Sequence, residues 1–149
     1  MRLSNRTIYG LRAVVDLAYH GNGEPMRVSR IADRCAIPGR FLEQILQELK
    51  KAELVESKRG PGGGYRLVAP ADEITLAAVL EILDDLPRLP DVVSDGEIKT
   101  AAQIADAACG EVVEHMVELL ANVTVADLVA RGEKLGLARQ GYEGFVYVI

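Results

Sequence analysis

Cysteine and histidine are scarce in this chain, two of each in 149 residues, and the scarcity is informative. Two cysteines cannot build a disulfide framework, and without a secretory signal they fit a reducing cytosol. No Ser-His pairing or paired-carboxylate motif stands beside them, so no catalytic constellation forms and no enzyme is expected. Long apolar runs are missing too. Stretches such as LAAVLEIL are broken by charge well short of the ~20 residues a bilayer requires, so a cytoplasmic protein with no membrane partner is expected. Arg2, Arg6, Arg12 and Asp16 interrupt the start of the chain and argue against a signal peptide. The sequons at Asn5 and Asn122 are then chance matches.

A surplus of positive charge is also lacking, since the net charge is −5, which taken alone argues against a polyanionic partner. Its distribution argues the other way. Residues 1–68 hold 12 Lys and Arg against 7 Asp and Glu, whereas residues 69–149 hold 5 against 15. Such a split suggests a lobe that faces DNA, backed by one that repels it. With 49% hydrophobic residues there is material for one core, or for one small domain plus a helical appendage.

What the chain does have centres on Pro38 to Ala52, PGRFLEQILQELKKA. Phe41, Leu42, Ile45, Leu46 and Leu49 recur at helical spacing as an apolar stripe. Arg40, Glu43, Gln44, Gln47 and Lys51 share the opposite face. Arg and Gln carry the paired donors and acceptors that match base edges in the major groove, although a merely solvated face is the ordinary alternative. Upstream, VSRIADRCAIP predicts a short helix capped near Val28 or Ser29, with Ile31 and Ala32 inward and a stop before Pro38. The two helices make a helix-turn-helix.

Downstream, Leu54 to Lys58 and Tyr65 to Val68 predict two strands around Gly60, Pro61, Gly62, Gly63 and Gly64. A hairpin after a recognition helix is a wing. Lys58 and Arg59 before the glycines, and Arg66 after them, let the tip approach a phosphate backbone. A nucleotide phosphate loop would need Lys-Ser or Lys-Thr and a helix after the last glycine, and here Tyr65 and a strand follow.

The remaining chain is mostly helical by pattern. Residues 4–20 predict a first helix capped by Ser4 or Asn5, with Ile8, Leu11, Val15 and Ala18 on one stripe and Tyr9, Ala13 and Leu17 on another. His20 fits a C-cap role at its end, where a cation suits the helix dipole. Thr75 is expected to cap a helix from Leu76 to Leu86, with Leu76, Val79, Leu80 and Leu83 inward. Residues 87–97, PRLPDVVSDGE, read as a linker. Residues 98–122 return to helix, with a break expected near Cys109 and Gly110. The row Val112, Val113, Met116, Val117 and Leu120 needs a cover, with Glu111, Glu114, His115 and Glu118 outside. Thr124 should cap a last helix from Val125 to Leu135, before an alternating tail, GYEGFVYVI.

The segments MRLS, SRIADRCAIPGRFLEQILQELKKAELVESKRGPGGGYRL, ITLAAVLEILDD and VTVADL resemble the Rrf-type winged-helix transcription regulators, the family of IscR, NsrR and CymR. The likeness covers about residues 1–130, and FLEQIL and RGPGGGYRL are its most specific parts. The resemblance implies a mainly α fold with a small β-hairpin wing. It divides into a winged helix-turn-helix domain (1–86), a linker or sensor loop (87–97), a dimerisation helical region (98–135) and a C-terminal tail (136–149). It implies a homodimeric repressor of transcription that binds double-stranded DNA and answers to an effector protein or small molecule. The implied DNA contacts are Arg2, Ser4, Arg40, Glu43, Gln44, Gln47, Lys58, Arg59, Gly60, Gly62, Gly63, Gly64 and Tyr65, and the implied dimer interface is Val112, Val113, Met116, Val117 and Leu120. A winged helix used only for protein interaction is the alternative.

Cluster-binding members carry three cysteines between the helix after the wing and the dimerisation helix. Here Cys109 alone falls at a matching place, so no cofactor and no metal site are expected. The alternative is an iron-sulfur cluster with atypical ligands, Cys109 plus carboxylates such as Asp91 and Asp95. Should a helix start at Cys109, its N-terminus would activate the thiol as a redox sensor. Cys35 reads as a small buried apolar residue.

Overall fold

A computed structural model describes residues 2–83, 85–89 and 98–139. It is mainly helical: α1 (Asn5–Gly21), α2 (Val28–Cys35), α3 (Gly39–Lys51), α4 (Leu76–Ile82), α5 (Ala101–Ala121) and α6 (Val125–Lys134), with a hairpin of β1 (Val55–Lys58) and β2 (Gly64–Leu67). The predicted strand segment in the tail and the linker acids Asp91 and Asp95 lie outside the described residues.

Although the apolar pattern is sharpest in α3, α1 is the element on which the others meet, since α2, α3, α4, α6 and β2 all pack against it. Its buried face is Thr7, Gly10, Ala13, Val14 and Leu17, and Ile8, Leu11, Val15 and Ala18 are only half-buried, so the two predicted stripes merge into one wide inner surface. Leu42, Ile45, Leu46 and Leu49 from α3 join it, with Ile31, Val55, Val79, Leu83 and Val125. Burial of each such aliphatic side chain contributes about 1.5 to 3 kcal/mol, which is what orients α3. Phe41 departs from the predicted stripe: it is 38% exposed and meets Tyr9 edge-on at 5.7 Å.

Helix ends follow local chemistry. Ser4 caps α1, Thr75 caps α4, and Thr124 caps α6 through a capping box with Asp127. At α2 the predicted cap is displaced by one residue, because the Arg27 carbonyl accepts from the amides of Arg30 and Ile31. The helix closes at Ala36 in the left-handed conformation, φ 52°. α4 is shorter than expected and stops at Ile82. His20 lies in the last turn of α1, 3.8 Å from Asp16, while Asn22 is the C-cap.

α5 runs unbroken through Cys109 and Gly110, where a break was expected. An interior glycine weakens a helix by only about 1 kcal/mol relative to alanine, and the Thr100–Gln103 capping box stabilises the start. α6 then returns to the first domain. Val125 is fully buried in the same core as α3, Gly132 lets α6 close onto the Tyr19 ring, and the Tyr19 hydroxyl donates to the Leu137 carbonyl at 2.6 Å. Through Val125, α6 therefore joins the core built by α1 to α4 and the hairpin. The two threonine caps meet as well: Thr75 and Thr124 form an antiparallel bridge, with the Leu76 amide donating to Val123 at 2.9 Å and the Val125 amide to Ile74 at 2.8 Å.

Two polar contacts bind the elements further. Asp16, 7% exposed, accepts both arms of the Arg34 guanidinium at 2.9 and 2.8 Å, joining α1 to α2. Asp85, just past α4, accepts from the Ser4 amide at 3.0 Å, the Ser4 hydroxyl at 2.6 Å and the Thr7 hydroxyl. The Ser4 hydroxyl first, then Thr7, hold the Asp85 carboxyl below the ordinary carboxylate range. This contribution to stability is full above the unfolded-state pKa and is lost as pH falls through the depressed folded value.

Candidate nucleic-acid interface

The polar face of α3 is open to solvent because its apolar face is held by the core. Arg40, Glu43, Gln44, Gln47 and Lys51 are all exposed, and they are brought together as predicted. α1 runs antiparallel along the flank: Arg6 pairs with Glu48, Tyr9 meets Phe41, and the Arg12 guanidinium donates to the Cys35 carbonyl at 3.3 Å. Arg2, exposed, precedes this flank at its Glu48 end.

The wing stands beside α3. Its register pairs Val55 with Leu67, Glu56 with Arg66, Ser57 with Tyr65 and Lys58 with Gly64. Lys58 and Arg59 lead into the tip as exposed cations. Arg66 does not belong to that set, because it pairs across the strands with Glu56 and also reaches the Gly23 carbonyl. Gly60 and Gly62 take φ of 92° and 71° and are exposed, so the tip backbone is accessible. Gly63 and Gly64 are instead packed against backbone, of Lys58 and Met26 respectively.

Three residues of the expected contact set are engaged within the protein. Tyr65 is 8% exposed, its backbone bridges to Met26, and its hydroxyl accepts from Gln47 Nε2 at 3.0 Å. Burial first, then the charge of Glu43, push the phenol above its ordinary pKa. Ser4 uses its hydroxyl to cap α1 and to hold Asp85. The Lys50 ammonium, outside the expected set, donates to the Ser57 hydroxyl at 2.6 Å and ties the far end of α3 to the wing. Sequence reasoning missed Arg27 and Arg30, exposed at the start of α2, where they line one hollow with Gly62 and Gly63. Only their place at the start of a helix in a basic half hinted at it.

On α5 the expected row is only partly outward. Val113, Met116, Val117 and Leu120 are half-buried on the side where α5 packs with α4. Ile104, Val112 and Leu119 are 61%, 58% and 66% exposed. With Ala108 they span about 80° of arc at 100° per residue, so they form a second apolar row. No residue of this helix is buried.

A helix-turn-helix with an exposed polar second helix, followed by a basic hairpin, defines a winged-helix DNA-binding transcription regulator. Residues 3–131 match the Rrf2 family, "Iron-dependent Transcriptional regulator", and the chain belongs to that family. It is 34% identical over 143 residues to the HTH-type transcriptional regulator IscR of Sodalis glossinidius, covering 91% of this chain and 82% of that protein. Among solved structures it is similar to T. potens IscR, with a TM-score of 0.76, 30% identity and 95% of each chain covered. It is also similar to CymR, the global cysteine regulator of B. subtilis, with a TM-score of 0.73 and 30% identity over 88% of this chain and 98% of that one. The protein is thus a transcription regulator and not an enzyme, and no helix among the described residues is long and apolar enough to cross a membrane.

Among the described residues the donors do not gather as an iron-sulfur cluster would require. Cys109 is exposed in the middle of α5, away from any helix N-terminus, so the expected ground for its activation is gone. Cys35 is half-buried, its thiol donates to the Arg12 carbonyl at 3.6 Å, and burial first, then Asp16, push it up to about 11. A thiol held protonated is a poor ligand. Among the described residues no three His, Cys, Asp or Glu side chains gather into a metal site.

Proposed function

We propose that the protein acts in the cytoplasm as a homodimeric, sequence-specific repressor, and that its signal is an effector protein or small molecule rather than a conventional iron-sulfur cluster. The observation that carries the reading is the exposed row Arg40, Glu43 and Gln44 beside the Lys58 and Arg59 wing tip. Side chains on the first half of a recognition helix reach base edges, whereas cations on a wing neutralise phosphate or enter a narrow minor groove. Gln44 can pair bidentately with adenine, and Glu43 accepts from cytosine N4.

Selecting bound fragments from genomic DNA with the purified protein names the operator. On that operator Gln44→Ala is expected to weaken binding by about 1 to 3 kcal/mol, with little effect on random DNA. Arg59→Ala should weaken both and lower the salt slope by about one. Unchanged ranking of operator variants in Gln44→Ala, with altered ranking in Arg59→Ala, would reverse the two roles.

The homodimer rests on α5, a 21-residue helix with no buried residue and an apolar row at Ile104, Val112 and Leu119. An exposed row of this kind marks an interaction surface. Val112→Glu with Leu119→Glu would place like charges in that surface, so light scattering should show a monomer where the parent is a dimer, and operator affinity should fall with it. A parent that is monomeric at micromolar concentration sinks the dimer.

A further inference from the structure

We propose that Tyr65 is a positioning residue for base reading: its inward-held phenol oxygen takes Gln47 Nε2 as donor and turns the Gln47 carbonyl oxygen toward the groove. The inference rests on the assignment of α3 as the reading helix. Tyr65 is fixed by bonds that have nothing to do with DNA, since its amide donates to the Met26 carbonyl and its carbonyl accepts from the Met26 amide, both at 2.8 Å. The ring fills the angle between β2 and α3, so the hydroxyl emerges beneath the exposed face at Gln47.

A free glutamine amide can present either its oxygen or its nitrogen to a base, and so accepts either kind of partner. A phenol can accept from the amide nitrogen or donate to its oxygen; in the structure it accepts from the nitrogen at 3.0 Å, which leaves the Gln47 oxygen outward. Glu43, four residues earlier on the same exposed face, is an acceptor when ionised. Glu43 and Gln47 then form two successive acceptors along α3. In the major groove acceptors pair with the amino groups of adenine N6 and cytosine N4, and are repelled by guanine O6 and N7 and by thymine O4. In the orientation that Tyr65 holds, Gln47 selects amino-bearing bases.

The test uses the full chain and its selected operator. Gln47→Ala first identifies the operator position whose base preference depends on Gln47. At that position the parent should favour A or C, and Tyr65→Phe should reduce the preference about fivefold while affinity for random DNA holds. Phenylalanine keeps the ring in its packing site, and an unchanged thermal midpoint verifies this. Gln47→Glu, acceptor-only in either orientation, should restore the preference in the Tyr65→Phe background. A Tyr65→Phe protein that ranks bases as the parent does overturns the proposal. So does a lost preference that Gln47→Glu fails to restore, which would make Tyr65 a packing residue of the wing. A parent that ranks no operator above random DNA is a different failure, that of the reading helix itself.

Discussion

Arg34→Met will destabilise the protein by on the order of 3 to 5 kcal/mol, the usual range when one partner of a buried ion pair is removed. Asp16 is buried on α1 and takes both arms of the Arg34 guanidinium. Methionine preserves the aliphatic stem but leaves a carboxylate in the protein interior with the His20 imidazole, 3.8 Å away, in place of a bidentate guanidinium. The Asp16 hydrogen bond is foremost in raising Arg34 above its ordinary pKa, so the arginine stays charged at any pH where the fold persists. Arg34 also contacts the Met26 sulfur at 3.7 Å, and Met26 bridges to Tyr65, so the loss reaches the wing. Chemical denaturation of Arg34→Met and of Arg34→Met with Asp16→Leu gives the check. The double variant has no stranded charge and should recover most of the loss. Equal stability of parent and single variant would show that the pair contributes nothing.

Gly64→Ala should be comparably severe, at about 3 to 5 kcal/mol from backbone strain plus two broken hydrogen bonds. Its φ of 148° lies where L side chains rarely go. A Cβ there would run into the Met26 carbonyl and approach the Arg27 amide nitrogen to 2.7 Å. Met26 would have to withdraw, breaking its paired bonds to Tyr65. Thermal unfolding should show a lower midpoint, and operator binding should weaken because Tyr65 no longer holds Gln47. Gly62→Ala is the control: φ 71° strains it too, but a Cβ there meets nothing within 4 Å. A Gly64→Ala variant that melts with the parent would place the wing independently of Met26.

Much of this architecture could be read from local pattern. The α3 stripe, the threonine caps at Thr75 and Thr124 and the glycine-rich hairpin each depend on residues within a turn or two of one another, and periodicity and capping chemistry report such neighbours. The Asp16–Arg34 pair joins residues 18 apart, and alternation of polar and apolar types assigns both to the surface. Tyr65 follows the wing glycines directly, and strand alternation turns its ring inward to Gln47, a partner 18 residues away that local pattern does not report. Arg66, one residue on, points outward but finds Glu56 across the register. At Cys109–Gly110 a glycine suggested an end, and a glycine alone is too weak to end a helix already capped at Thr100. The row on α5 needed the packing of α4 before its free side could be told from its covered one.

The bridge between Thr75 and Thr124 makes a neck. The stretch between Thr75 and Thr124 holds α4, packed on α1, and α5, which has no buried residue, and its two ends are sewn together at that point, so it is a closed loop. The entropy of closing such a loop grows only with the logarithm of its length, about 0.6 kcal/mol for each doubling. Insertions or deletions in the segment between α4 and α5 are therefore nearly free for the DNA-binding head, provided the neck residues keep their backbone bonds. The segment between α4 and α5 can thus change its length and chemistry without α3 having to be rebuilt.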